Sequence, residues 1–121
     1  MAKKEFYGVK ITMKIYVAGP YTGGDIVLNV RNAIEVGNFI FNNGHTPFVP
    51  HLFHLWHMVS PRPYKDWMKM DMEWLKKCDA LYRLNGPSAG ADLEVKKTIE
   101  LGIPVFTNLT DLLEWMDTNG A

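Results

Sequence analysis

The hydrophobic and polar positions of this chain follow two periods, one typical of strands and one typical of helices. Short apolar runs predict four strands, at residues 14–19, 45–50, 79–84 and 103–106. Apolar positions at helical spacing predict four helices, at residues 25–43, 64–77, 88–102 and 109–117, and Asp25 can cap the first of them. Strands that alternate with helices are typical of a mostly parallel sheet with helices on both faces. We therefore expect a flavodoxin-like, three-layer α/β domain whose mostly parallel sheet has four to five strands.

Two acidic residues interrupt this pattern because they lie on the apolar sides of their helices. At about 100° per residue, Glu94 lies on the flank of an inward stripe of small and apolar residues, namely Ala91, Val95, Thr98, Ile99 and Gly102. Asp71 lies inside the apolar stripe of the preceding helix, at about 40° from Trp67. Each helix that flanks the strand at 79–84 therefore points one carboxylate inward. An ionised carboxylate buried without a partner costs several kcal/mol, so such groups are normally paired, hydrogen-bonded or functional.

Two interpretations of these inward acids are open. Each acid can cap a backbone amide or meet a lysine or arginine, and for a single inward acid this structural interpretation is the better one. Two inward acids beside the same strand, with a glycine-rich turn between them, favour a shared pocket. There, one carboxylate can attack or stabilise a developing cation while the other transfers a proton, as in glycosidic bond cleavage.

Two glycine-containing turns could contact a ligand of nucleotide size. The segments "AGPYTGG" (18–24) and "NGPSAG" (85–90) each follow a strand and precede a helix, whose first amides attract anions. Arg62 and Arg83 are possible basic partners of an anion. Neither segment matches a Walker loop or a dinucleotide-binding fingerprint, so ordinary tight-turn chemistry explains them equally well. Ligands of such folds bind at the carboxyl ends of the strands, where the strand order reverses.

Composition and charge narrow the class of protein. The 121 residues, 47% of them hydrophobic, fit one domain, which we place at 13–121 behind a flexible extension at 1–12. Met13 could be an alternative start. The formal net charge is zero and no basic stripe is visible, so we expect no nucleic-acid partner. A single cysteine, Cys78, and the lack of a signal peptide or membrane-spanning run lead us to expect a cytoplasmic protein with no membrane partner.

Three segments carry a resemblance to a known family: "KIYVAGPYTG", "WMKMDMEWLKKCDAL" and "GPSAGADLEVKKTIELGIPVF". From about residue 13 to 106, the chain resembles the nucleoside 2-deoxyribosyltransferase superfamily. It is most similar to a branch of small proteins with P-H-L-x-H-x-W and R-G-A-D-x-E-V-like motifs, related to the 2'-deoxynucleoside 5'-monophosphate N-glycosidases. The resemblance implies that Glu94 is the nucleophile that attacks the anomeric carbon. It also implies that Asp71 assists proton transfer at the departing base and that Tyr16 orients the glutamate.

The same resemblance implies substrate contacts. Ser88 and Gly90 stand where the monophosphate-hydrolysing branch binds phosphate, whereas the transferases typically carry an aspartate near the Ser88 position. The first loop departs from the hydrolase pattern G-S-I-R-G, because Pro20 replaces a serine and Thr22 an arginine, so a cationic phosphate clamp is missing there. The predicted substrate-binding residues are Gly19, Tyr21, Thr22, Gly23, Ser88, Gly90, His51 and His54.

The segment "HLFHLWH" places His51, His54 and His57 three residues apart, and three histidines raise the question of a zinc site. H-x-x-H-x-x-H is not a standard zinc spacing, and the one cysteine lies on a distant stripe, so we expect no metal. We expect instead a loop or short helix over the pocket, with His51 and His54 facing a substrate. Phe53 and Trp56 would then pack or stack on a base.

These observations predict hydrolysis of the N-glycosidic bond of a nucleoside or deoxynucleoside 5'-monophosphate through a glutamyl-glycosyl intermediate, with no cofactor. A transferase that exchanges bases is the alternative within the same chemistry. A non-catalytic nucleotide-binding or sensing module is the alternative outside it, and a structural protein with salt-bridged inward acids is a third. We expect the partners to be a small-molecule nucleotide or nucleoside and further copies of the chain, in a homodimer or higher homo-oligomer.

Overall fold

The computed structural model describes residues 5–6, 9–10 and 12–119. Its strands are β1 (Glu5–Phe6), β2 (Val9–Lys10), β3 (Lys14–Ala18), β4 (Thr46–Phe48), β5 (Ala80–Arg83) and β6 (Val105–Phe106). Its helices are α1 (Ile26–Asn42), α2 (Phe53–Val59), α3 (Tyr64–Leu75), α4 (Ala89–Glu100) and α5 (Leu109–Asn119), with a 3-10 turn at Pro50–Leu52. The predicted flexible extension falls partly outside the described residues. Its described part pairs β1 with β2, apart from the main sheet.

The main sheet consists of four parallel strands in the order β4-β3-β5-β6. This confirms the predicted flavodoxin-like α/β architecture. β3 lies in the interior of the sheet, where Tyr16 is opposite Phe48 of β4 on one side and Leu81 of β5 on the other. The chain adds β4 on one side of β3 and then crosses over to add β5 and β6. The strand order therefore reverses between β3 and β5, and the carboxyl ends of these two strands border the crevice where such folds bind ligands.

Alternate residues of β3 contribute to two separate cores, because successive side chains of a strand point to opposite faces of the sheet. One core joins the sheet to α1 and α5 and consists of Ile15, Val17, Ala33, Val36, Ile40, Ala80, Tyr82, Leu112 and Met116. The other joins the sheet to α3 and α4 and consists of Tyr16, Ala18, Leu75, Cys78, Leu81 and Ala91. Both predicted inward acids belong to the helices of this second, smaller core, so they lie on the face of the sheet to which the Tyr16 side chain points.

Local capping signals place the starts of two helices. Asp25 accepts a hydrogen bond from the Leu28 amide at 3.1 Å and caps α1, as predicted. Ser88 accepts from the Ala91 amide at 3.1 Å and caps α4. The caps explain why a helix follows each of the two glycine-containing turns. Among the described residues, no helix combines the length and the apolar character that spanning a bilayer requires.

The rotation of α4 differs from the one that its hydrophobic pattern predicts. Ile99 was predicted on the inward stripe, but its side chain is 66% exposed, so that prediction is wrong. The buried residues of the helix are Ala91, Glu94 and Thr98. The small residues of α4 rather than its larger apolar ones meet the sheet, and Glu94 is buried beside them.

The close approach of two loops leads to a prediction about stability. Gly86 has a φ of 112°, and a Cβ built on it would lie 2.9 Å from Cγ of Pro20. Because both the backbone conformation and the space exclude a side chain, Gly86→Ala should lower the free energy of unfolding by about 1–3 kcal/mol. Urea denaturation measures this loss.

Gly23→Ala is the matched control, because a Cβ there meets no atom within 4 Å. It should change the free energy of unfolding by no more than about 0.5 kcal/mol. Equal losses for the two variants would contradict the proposed contact between the loops after β3 and β5.

Candidate active site

Tyr16 and Glu94 form a buried hydrogen bond between the centre of the sheet and α4. The tyrosine lies in β3 with no exposed surface, and the side chain of Glu94 is 5% exposed. The Tyr16 hydroxyl donates to Oε2 of Glu94. No described donor reaches the other carboxylate oxygen, Oε1. The tyrosine therefore fixes the orientation of the carboxylate and leaves one oxygen for a ligand.

Asp71 projects from α3 toward the same region. Its Oδ1 atom is buried and has no hydrogen-bond partner among the described residues. None of the ion pairs in the described part of the chain includes Asp71 or Glu94. The structural alternative, in which both inward acids are neutralised by salt bridges, therefore finds no support here. An unpaired buried carboxyl oxygen is costly and points to an exchangeable partner such as a ligand.

Burial dominates the electrostatics of these groups. Burial outweighs the opposing Tyr16 hydrogen bond and, with a smaller contribution from the charge of Asp71 and against that of Arg83, raises the pKa of Glu94 to about 8. Burial alone raises the pKa of Asp71 to about 7. Burial and the neighbouring charge of Glu94 raise the pKa of Tyr16 well above its ordinary value, so the phenol stays a donor. Near neutral pH, the two carboxyl groups can share one proton, as an acid and a nucleophile require.

Arg83 holds the loop between β5 and α4. Its guanidinium donates to the carbonyl oxygens of Leu84 and Gly86 and pairs with Asp92 at 2.9 Å. This engaged side chain shapes the turn that leads to Ser88, rather than standing free for an anion. Arg62, the other possible anion partner, lies 3.8 Å from Asp66 in an exposed pair, which contributes little to stability.

The loop after β3 is held by a residue that the sequence analysis missed. The Asn29 amide donates to the carbonyl oxygens of Tyr21 and Gly23, both at 2.8 Å. Asparagine near the start of a helix is a usable signal, because its side chain favours bonds to nearby backbone over helix formation. Through these bonds, Asn29 fixes the backbone of a loop predicted to contact substrate.

The three histidines of the segment "HLFHLWH" form hydrogen bonds with three different neighbours. His51 Nε2 lies 3.0 Å from the Pro20 carbonyl oxygen, and His54 Nδ1 lies 2.6 Å from the Tyr21 hydroxyl. His57 Nδ1 accepts from the Trp67 indole at 2.9 Å. Within the described residues, no group of three His, Cys, Asp or Glu side chains is arranged to hold a metal ion. His51 and His54 thus tie the segment to the loop after β3.

Burial lowers the pKa of His51, so its imidazole is neutral and donates from Nε2 to the Pro20 carbonyl. This tautomer leaves Nδ1 as an acceptor, and that atom is buried without a hydrogen-bond partner in the described structure.

Aromatic packing anchors α2 to α3. Phe53 stacks on Trp67 with 5.8 Å between ring centroids, and Trp56 meets the same indole edge-on at 5.3 Å. The two residues predicted to pack or stack on a base therefore pack on a tryptophan. Trp56 is 46% exposed, so only part of its ring remains for another contact.

The predicted substrate-binding residues divide by their contacts. Tyr21, His51 and His54 take part in the bonds that join the first loop to the histidine segment, and Ser88 caps α4.

Gly19 permits close packing, because a Cβ there would lie 2.9 Å from Cβ of Leu84. Thr22 and Gly23 are exposed in the same loop. Gly90 lies beside the ring of Tyr64. Ligand binding by these eight residues stays a prediction.

Two open surface depressions lie elsewhere, one along α5 and one along the outer sides of α3 and α4. Neither is lined by Tyr16, Asp71 or Glu94. The candidate site is therefore identified by its buried carboxyl groups and its place at the strand-order reversal, rather than by surface shape.

Comparisons with known proteins concern the family and the fold. Residues 13–108 match the family described as "Domain of unknown function (DUF7768)". The structure is similar to that of a 2-deoxyribosyltransferase from the psychrotolerant bacterium Bacillus psychrosaccharolyticus. The identity is 25% and the TM-score 0.54, and the match covers 76% of this chain and 69% of the other. The curated proteins contain no match. The structural likeness supports the resemblance to the deoxyribosyltransferase superfamily.

The raised carboxyl pKa values predict how stability depends on pH. Asp71 and Glu94 have ordinary pKa values of 3.8 and 4.5, but in the folded protein they hold their protons to about 7 and 8. Between these limits the folded state binds more protons than the unfolded state, so stability should fall as pH rises from about 5 to 8. Each unit of pKa difference corresponds to roughly 1.4 kcal/mol. Urea denaturation across this range measures the slope.

Glu94→Gln should flatten the slope, because the amide neither binds nor releases a proton. Glu100→Gln, which replaces an exposed acid on the same helix, should leave the slope as it is in the wild type. If the Glu94→Gln protein keeps the full slope, Glu94 does not hold the buried proton.

Proposed function

We propose that this chain, which belongs to the family described as "Domain of unknown function (DUF7768)", is an enzyme that cleaves an N-glycosidic bond of a nucleoside or nucleotide. The observation that carries the proposal is the Glu94 carboxylate, buried and oriented by Tyr16 at the strand-order reversal, with Asp71 beside it. No basic residue in the described part of the chain is paired to either acid. The likeness to a 2-deoxyribosyltransferase supports nucleoside glycosyl chemistry as the class.

The first half of the reaction uses the two carboxyl groups in opposite protonation states. Glu94 attacks the anomeric carbon as the carboxylate, with the Tyr16 hydroxyl fixing its orientation. In the ligand-free protein the pKa of Glu94, about 8, lies above that of Asp71, about 7, so the reactive state requires the shared proton to move to Asp71 when the substrate binds. Asp71 then donates this proton to the departing base as the glycosidic C–N bond breaks. The products of this step are the free base, a sugar joined to Glu94 through an ester, and an ionised Asp71.

The second half resolves the ester. In hydrolysis, Asp71 removes a proton from a water molecule whose oxygen attacks the anomeric carbon, and the ester bond breaks to restore the Glu94 carboxylate. In transfer, a second base attacks instead and loses its proton to Asp71. Both outcomes need the same residues, and they differ only in the acceptor that reaches the glycosyl-enzyme.

We take a nucleoside or deoxynucleoside 5'-monophosphate as the first substrate and hydrolysis as the first outcome. Ser88 accepts its capping bond with one lone pair and keeps its hydroxyl proton for a ligand. The amides of Ala89 and Gly90, at the start of α4, add two further donors suited to an anion. Because Arg83 is engaged by the loop, these neutral donors would bind the phosphate without a described cation, which predicts weak affinity for phosphate.

Base exchange is the second candidate, and the structural likeness to a 2-deoxyribosyltransferase favours it. A homodimer or higher homo-oligomer remains part of the proposal. Three large apolar side chains of α2 are more than 60% exposed and suit such contacts, namely Leu55, Met58 and Val59.

The direct test is chromatographic detection of free base released from nucleosides and 5'-monophosphates, ribo and deoxy, with and without a second base. Glu94→Gln should lower the rate by at least about 1,000-fold, because it removes the nucleophile. Tyr16→Phe should lower kcat by roughly 10–100-fold through loss of carboxylate orientation. Glu100→Gln is the control on the same helix and should retain the wild-type rate.

Each outcome of the screen has a distinct meaning. Release from a monophosphate alone supports the hydrolase, and release only with an acceptor base supports the transferase. Base release that survives in a folded Glu94→Gln protein contradicts the proposed mechanism. Saturable nucleotide binding without any turnover favours a binding or sensing module.

A further inference from the structure

Tyr64 and Gly90 meet where α3 and α4 begin. A Cβ built on Gly90 would lie 2.7 Å from the Tyr64 hydroxyl oxygen and 3.8 Å from the ring carbon that bears it. Tyr64 is the first residue of α3 and Gly90 is the second residue of α4. The tyrosine hydroxyl is therefore packed against the backbone of the α4 amino terminus, and a side chain at position 90 would have to displace it.

The Tyr64–Gly90 pair lies toward the amino-terminal ends of the two helices that carry the carboxyl groups. Glu94 follows Gly90 by four residues, so both lie on the same face of α4, one turn apart. Asp71 follows Tyr64 by seven residues, which places both on the same face of α3, two turns apart. Both helices begin at the carboxyl-end side of the sheet, so the Tyr64–Gly90 contact borders the entrance to the site.

The Tyr64 hydroxyl is available to a ligand. The side chain is 63% exposed, and no described residue forms a hydrogen bond with its hydroxyl. Burial raises the pKa of Tyr64, and the charges of Glu94 and then Asp71 raise it further, so the group is a neutral donor within the field of both carboxyl groups.

We propose that the Tyr64 hydroxyl binds the oxygen on C5' of the substrate, and that Gly90 leaves the space for this contact. The inference rests on the proposed function. A substrate whose C1' meets Glu94 extends across one sugar ring and through C5' to the 5' oxygen, which spans most of the rise of one helical turn, about 5.4 Å. Gly90 lies one turn from Glu94, so the 5' oxygen of this substrate would lie next to Gly90 and the Tyr64 hydroxyl. The oxygen can belong to a free 5'-hydroxyl or to a 5'-phosphate ester.

Tyr64→Phe tests the contact, because it removes the hydroxyl and keeps the ring. We expect kcat/KM to fall about three- to tenfold for a nucleoside with a 5'-hydroxyl or 5'-phosphate, the usual effect of losing one neutral hydrogen bond. The matching 5'-deoxynucleoside, which lacks that oxygen, should react with both proteins at the same rate. The substrate whose kcat/KM falls more in Tyr64→Phe, the one with the 5'-hydroxyl or the one with the 5'-phosphate, carries the group that the tyrosine binds.

Tyr82→Phe is the matched control. Tyr82 belongs to the core on the opposite face of the sheet, so its hydroxyl cannot reach the site. This variant should leave kcat/KM unchanged for every substrate.

The same comparison can be made without turnover. Tryptophan fluorescence reports nucleoside binding to Glu94→Gln and to Glu94→Gln/Tyr64→Phe. Glu94→Gln/Tyr64→Phe should bind the compounds that carry a 5' oxygen three- to tenfold more weakly than Glu94→Gln does, and it should bind the 5'-deoxy compound equally well. Equal effects on both compounds, or none, would overturn the inference and leave the proposed function standing. If the panel neither binds nor reacts, the proposed function fails and the inference fails with it.

A second pair of variants tests the geometry through stability. Gly90→Ala should change the urea midpoint less favourably in the wild type than in a Tyr64→Phe background, because only in the wild type must the added methyl group displace the tyrosine hydroxyl, 2.7 Å away. In the Tyr64→Phe background the nearest ring carbon lies at an ordinary contact distance of 3.8 Å, so the usual preference of a helix for alanine over glycine should appear there in full. An equal change in both backgrounds would show that the two residues are not in contact and would overturn the inference.

Discussion

The hydrogen bond between Tyr16 and Glu94 is the constraint around which the rest of the site is arranged. It places a carboxyl group inside the smaller of two cores, among residues such as Leu75, Leu81 and Ala91. Burying such a group is costly unless a donor meets it. The tyrosine supplies that donor from the middle of β3, where pairing with strands on both sides holds its backbone. A fixed donor in a rigid strand gives the carboxylate one orientation.

The surrounding elements follow from that constraint. Small residues of α4 allow the helix to approach the sheet closely enough for Glu94 to reach the tyrosine, and Thr98 bonds back to the Glu94 carbonyl one turn later. Arg83 shapes the loop that leads to Ser88, and Asn29 shapes the loop after β3. The two loops meet above the buried pair. The scaffold thus stabilises the surroundings of the site and leaves one oxygen of each carboxyl group without a hydrogen-bond partner among the described residues.

Much of this arrangement could be predicted from the sequence, because it depends on local patterns. The alternation of strands and helices predicts the sheet, and Asp25 is a recognisable cap. The helical wheel identifies Glu94 as an inward acid, although it also predicts that Ile99 is buried. The wheel cannot supply the rotation of α4, because small residues at the sheet contact determine it. The contact between Tyr64 and Gly90 joins two different helices, so it depends on tertiary packing that no local pattern contains.

The proposed mechanism requires a covalent bond between Glu94 and the sugar. Mass spectrometry of the protein quenched in acid during turnover of a nucleoside or its 5'-monophosphate, followed by peptide mapping, detects this bond directly. We expect one added glycosyl group on the peptide that contains Glu94, with the phosphate retained if the substrate carries one. Base release with no adduct, or with the adduct on another residue, would contradict it.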